Sequence, residues 1–149
     1  MQQKVFNNPE TGVQEEFVEF YNNSGGALAH GDVVIKDLTA TTYVQKQYGT
    51  TSTTQNDNKL LGVVWDPQGL GVANGARGLL MRQGYHSAVN FISSTTTASI
   101  GTLCVHDTTA GTADIVSASA TVYPGGTLGH LAEAITAAQT TAAIRVDIK

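Results

Sequence analysis

Ala27-Leu28-Ala29-His30-Gly31-Asp32-Val33-Val34-Ile35-Lys36-Asp37 and Thr97-Ala98-Ser99-Ile100-Gly101-Thr102-Leu103-Cys104-Val105-His106-Asp107 follow one pattern, set 70 residues apart as Gly31 is from Gly101. Each is a glycine turn feeding a short apolar strand that ends in Asp. The likeness continues downstream, where Leu60-Leu61-Gly62-Val63-Val64 matches Thr127-Leu128-Gly129-His130-Leu131 at an offset of 67, Gly62 to Gly129. A third strand follows in both halves, Ala76-Arg77-Gly78-Leu79-Leu80-Met81 and Thr141-Ala142-Ala143-Ile144-Arg145-Val146. The order turn, strand, strand, strand is thus written twice. Two three-stranded units cannot each bury a sheet face alone, so they are expected to pack together as an all-β fold, a pseudo-twofold β-barrel or sandwich.

The rest of the chain agrees with an all-β reading. Short runs rich in Val, Ile and Leu alternate with Gly, Asn, Asp and Thr clusters, and no useful window keeps apolar residues at three-and-four spacing. Ala132 to Ala143 has helical propensity, but Thr136, Thr140 and Thr141 interrupt it, and strand, turn, strand is expected there. At the end, Ile144, Val146 and Ile148 alternate with Arg145, Asp147 and Lys149, giving one apolar and one charged face. Val18 and Phe20 against Glu19 and Tyr21 mark a strand near the start. Met1 to Gln14, with Asn7-Asn8-Pro9 and Thr11-Gly12, reads as an extended N-terminal arm that is ordered on contact with something else. Residues 1–23 are therefore assigned to the arm and first strand, and residues 24–149 to a single β domain, with repeat one over about 24–92 and repeat two over about 93–149. The Thr-rich stretches Thr39 to Asn58 and Thr108 to Gly126 read as hairpins and surface loops, with Asn74-Gly75 and Pro124-Gly125-Gly126 as tight turns.

Composition narrows the function. Only 13% of the 149 residues are charged, about half the usual quarter. Thr, Ser, Asn, Gln and Ala cover the surface instead. Burying a neutral hydroxyl or amide costs far less than burying an unpaired charge, so such a surface suits a protein whose outside becomes the inside of an assembly. The net charge is −4 and the eight basic residues are scattered singly, which leaves no footprint for nucleic acid. No apolar stretch stands behind a basic N-terminal region and no run of about 18 apolar residues occurs, so neither a signal peptide nor a membrane span is expected. On that reading the product stays in the cell that makes it until lysis or assembly carries it out. The single cysteine, Cys104, is expected in the core between Leu103 and Val105.

Catalytic and ligand-binding signals are weak. His106 and Asp107 are strand neighbours pointing to opposite faces, and His30 and His106 do not occupy matching repeat positions, so the histidines read as polar packing. No Gly-x-Ser-x-Gly elbow, phosphate loop, His-Glu-x-x-His pair or Cys-x-x-Cys unit occurs, and the Gly69, Gly71, Gly75 spacing reads as a turn. Glu15, Glu16 and Glu19 read as a solvated face. The expectation is a protein that is not an enzyme and holds no cofactor or metal. The aromatics Phe17, Phe20, Tyr21, Trp65, Tyr85 and Phe91 have two readings: core packing, or anchors of a subunit interface.

The doubled unit resembles a family of bacteriophage capsid cement (decoration) proteins. Its members carry an Ala-rich lead-in to Gly-Asp-Val-Val, then Leu-Gly-Val-Val, then a Gly-led apolar strand, and a second, weaker round. Those elements stand here at Gly31-Asp32-Val33-Val34, Leu61-Gly62-Val63-Val64 and Gly78-Leu79-Leu80, with Gly101, Leu128-Gly129 and the Ile144 to Ile148 strand as the second round. The resemblance covers about residues 24 to 149. It departs from shorter members in the polar loop Tyr48 to Asn58 and the longer N-terminal segment. It implies a structural virion protein on the capsid exterior, found in the host cytoplasm during assembly. The implied assembly is a homotrimer seated on the major capsid protein at threefold positions, its arm reaching a neighbour. The competing readings are another virion component, such as a tail or host-binding β domain, and a carrier module of the lipoyl or biotinyl kind. The carrier reading lacks its lysine, since none lies between Lys59 and Lys149.

Overall fold

The computed structural model describes residues 3–7, 14–39, 47–54, 59–92, 97–116 and 126–148. Ten strands are described: β1 Gln3–Asn7, β2 Gln14–Asn22, β3 Val33–Lys36, β4 Tyr48–Thr50, β5 Leu60–Val64, β6 Arg77–Asn90, β7 Leu103–His106, β8 Ala113–Ile115, β9 Thr127–Leu131 and β10 Thr141–Asp147. The described part of the chain is all-β, in one mixed sheet ordered β1-β2-β4-β3-β5-β6-β10-β9-β7-β8, with β2 also paired to β6.

That extra pairing closes a ring. β2 runs parallel to β4, β4 pairs with β3, β3 with β5, β5 with β6, and β6 returns to β2. The second half of the long strand β6 then opens another ring: β6 pairs with β10, β10 with β9, β9 with β7, β7 with β8, and a parallel bridge from Phe91 to Ala113 closes it. The two rings share β6.

The hydrogen bonds of one ring repeat in the other. Asn23 N–H donates to Gly49 O at 2.8 Å, and Ile92 N–H donates to Ala113 O at 2.9 Å. Gly31 N–H donates to Val64 O as Gly101 N–H does to Leu131 O, and the Leu28 to Val72 bridge recurs as Ala98 to Ile135. The bulge between Val34 and Ile35 recurs between Cys104 and Val105. The offsets of 70 and 67 read from the sequence are therefore the structural ones.

Several expectations are corrected. The repeated unit has five strands rather than three, because β4 and β8 lie inside the Thr-rich stretches read as hairpins and surface loops. Repeat one begins at β2, which had been assigned with the arm, and repeat two begins within β6, ahead of the boundary placed at 92 and 93. The third strand was aligned one residue out: Trp65 N–H bonds to Leu79 O and Ala132 N–H to Ala143 O, so Leu79 corresponds to Ala143, not Ile144. A one-residue slip exchanges the faces of a strand, and the structural register makes Ile144 the counterpart of Leu80, both fully buried. Within the arm, Gln3–Asn7 forms β1, antiparallel to β2 with Lys4 opposite Phe17. The Asn8-Pro9 and Thr11-Gly12 part of the arm and the Pro124-Gly125 turn lie outside the described residues.

Two apolar clusters follow from the ring geometry. The first ring encloses Val18, Phe20, Val34, Leu61, Val64 and Leu80, with Leu28 and Val72 across its end. The corresponding residues of the second ring, Val89, Cys104, Leu128, Leu131, Ile144, Ala98 and Ile135, belong to the larger cluster. That cluster also takes in the outer face of ring one, Phe17, Val33, Ile35, Leu60, Val63 and Met81. Every residue of β5 is therefore buried, whereas its counterpart β9 exposes His130. The sheet rolls one way and then the other, and its two faces each enclose a core. Cys104 lies in the second, as expected, and burial, helped by the nearby Asp114 charge, pushes its thiol up to about 12, leaving it protonated.

The matched turns differ in one residue. Gly75, after the Val72 bridge, has φ of 82°, and Ala138, after the Ile135 bridge, has φ of 69°. An alanine there carries about 1–2 kcal/mol of left-handed strain, partly offset by glycine's larger unfolded-state entropy. Ala138→Gly is expected to stabilise the protein by about 0.5–1 kcal/mol in urea unfolding.

Candidate functional site

The six aromatics divide by location. Phe17, Phe20 and Phe91 are buried in the chain's own cores, so they offer no free surface to a partner. Adjacent Phe17 and Val18 point to opposite faces of β2, and both are buried, in different clusters. Tyr21 is partly buried, its ring 5.9 Å from Tyr48. Trp65 is partly buried against Phe17 at 5.5 Å. Tyr85 is 47% exposed, and among the described residues the other large exposed apolar side chains are Leu38, Leu70 and Ile100.

Tyr85 belongs to the outer face of ring two. Arg145, opposite it on β10, is exposed, as is His130 opposite Arg145 on β9. The same positions in ring one hold Phe17, Met81 and Val63, all buried. The face that is apolar and covered in one half is polar and open in the other. This is the broad candidate docking surface.

A second grouping joins residues that the sequence did not connect. His86, on β6, is fully buried, and its Nε2–H donates to Val64 O at 3.0 Å while Nδ1 accepts the Ala88 N–H at 3.2 Å. A carbonyl can only accept, so this pattern fixes one neutral tautomer. His30 stacks on it with ring centroids 4.5 Å apart, and its own Nδ1 accepts the Asp66 N–H at 2.9 Å. Trp65 meets both rings at 5.4 Å, edge-on to His86. Gln83 to Ala88 has no apolar alternation to mark His86 as buried, so its place was hidden until β6 was paired. Among the described residues, no group of three or more His, Cys, Asp or Glu is placed to hold a metal ion, and no helix is long and apolar enough to cross a membrane.

Burial, with His30 adding a smaller push, lowers His86 to about 4 from its ordinary 6.5. Below about 6.5 the unfolded chain takes up a proton that the folded ring refuses, so stability falls as pH falls from about 6.5 to 4. Denaturant unfolding at pH 5 is expected to show about 2 kcal/mol less stability than at pH 7 from this group.

No protein-family model matches the chain, and no curated protein matches it.

Proposed function

We propose that the chain is a non-enzymatic structural virion protein, a cement protein that binds the outside of an assembled phage capsid and stabilises it. What supports this most is the surface. With charged residues at 13%, the exterior can be desolvated over a wide area at little cost. Isolated apolar points at Leu38, Leu70, Tyr85 and Ile100 stand out from it, the arrangement expected of anchors set in a neutral rim. Tyr85 stands on β6, and Leu38, Leu70 and Ile100 on the connections that flank β3, β5 and β7.

The partner on this reading is the major capsid protein, and the binding form is a homotrimer. A trimer engages three sites at once, so modest contacts combine into high avidity. Purified protein should co-sediment with expanded heads that lack it, saturating at a fixed ratio to capsid subunits, and native mass measurement should give three chains. Absence from the pellet at saturating concentration would exclude the proposal. Leu70→Glu should weaken co-sedimentation about tenfold without changing the unfolding midpoint, as loss of one exposed anchor does.

A further inference from the structure

We propose that His86, His30 and Trp65 form an acid-sensitive latch that holds the β5–β6 loop, residues 66–71, and releases it while the sheet stays folded. The proposal is independent of the capsid reading. Within the loop, Gly69 N–H bonds to Asp66 O and Gly71 N–H to Asp66 Oδ2. Among the described residues, the hydrogen bond that ties this loop to the body is Asp66 N–H to His30 Nδ1. That acceptor exists only while Nδ1 carries no proton. The same holds for His86 Nδ1 beneath it, which accepts the Ala88 N–H. Protonating His86 turns its accepted hydrogen bond into two N–H groups facing each other and puts a positive charge against the stacked His30 ring.

The neighbouring ionisable groups do not relieve this. The Asp66 carboxylate is committed to Gly71 N–H, and Asp32 to Ala29 N–H and the Asn90 amide. Arg145, on the strand paired with β6, is exposed and positive, and Glu15 lies beside Gly84 rather than against the stack. The available relief is movement. Residues 67–70 are exposed, so swinging the loop outward uncovers little apolar surface and admits water to the stacked rings. Local openings of this kind cost less than global unfolding.

Amide hydrogen exchange of the full chain at pH 7 and pH 5 tests the latch. Once corrected for intrinsic rate, protection of the Asp66 amide should fall about 25-fold, because the open state binds a proton that the closed state does not. The Leu61 and Val34 amides should stay better protected than Asp66 at both pH values. Fluorescence of Trp65, the single tryptophan, should change over the same range with far-ultraviolet dichroism constant. His86→Phe should abolish the pH step, while His30→Gln should lower Asp66 protection at pH 7 and keep the step. Where His86→Phe does not fold, the wild-type His86 ring resonances decide. Titration in step with Asp66 protection supports the latch, and proton uptake confined to global unfolding overturns it, as does pH-independent Asp66 protection.

Discussion

Gly31→Ala is expected to cost about 4 kcal/mol or more, while Gly101→Ala, at the matching position of the second repeat, costs about 1 kcal/mol. The two glycines have nearly the same backbone, with φ of 93° and 87°. A left-handed conformation therefore penalises alanine about equally at both. What differs is the surroundings. A Cβ at Gly31 would lie 2.1 Å from Ala88 O, whereas one at Gly101 meets nothing within 4 Å. The β6 backbone cannot easily retreat, since Ala88 N–H is bound to His86 and Asn90 N–H to Gly31 O. Gly31 is where the turn of the first repeat rests on the strand that opens the second, and Gly101 faces open space. Urea unfolding of both variants checks this, and equal losses would contradict the packing described.

The second large effect lies in the core. Phe20 is wedged between two glycines: a Cβ at Gly49 would meet its ring at 2.8 Å, and one at Gly78 at 2.9 Å. The corresponding residues of the second ring are Val89, Ala113 and Ala142, and Val34, whose methyl would meet a Cβ at Gly49 at 2.6 Å, corresponds to Cys104. Each half thus fills the same space with a different division of volume, one large ring against glycines or one small side chain against alanines. Phe20→Val alone is expected to cost about 3 kcal/mol through the cavity it leaves, and Gly49→Ala alone about 2 kcal/mol through overpacking. Phe20→Val, Val34→Cys, Gly49→Ala and Gly78→Ala together should cost at least about 2 kcal/mol less than the sum of the singles, because contacting residues couple. Strict additivity would show that the two halves do not share one packing plan.

These residues also show what was legible in the sequence. Val33 to Lys36, Leu60 to Val64 and their partners were readable because a glycine turn and an uninterrupted apolar run leave few alternatives to a strand. Tyr48-Gly49-Thr50 and Ala113-Asp114-Ile115 were not, because three residues with Gly, Thr or Asp look like loop until the ring around them closes. The third strand was aligned one residue out because the connection from Leu131 to Ala143 is three residues shorter than that from Val64 to Leu79, and no shared residue marks where they are lost. Burial of both faces of β5 depends on the sheet rolling back over itself, which no local pattern encodes. Of the six aromatics singled out, Tyr85 is the markedly exposed one, since alternation cannot say which face a second layer will cover.

The cement reading makes shell stability depend on mass action. A ligand that binds only the assembled shell stabilises each site by on the order of 3 to 4 kcal/mol at 100- to 1,000-fold excess over the dissociation constant. The most direct measurement is the melting temperature of expanded heads lacking the protein, followed by calorimetry as purified protein is added. The account predicts a rise that continues with the logarithm of free protein concentration beyond saturation of the sites. A melting temperature that stays flat across that range would contradict it.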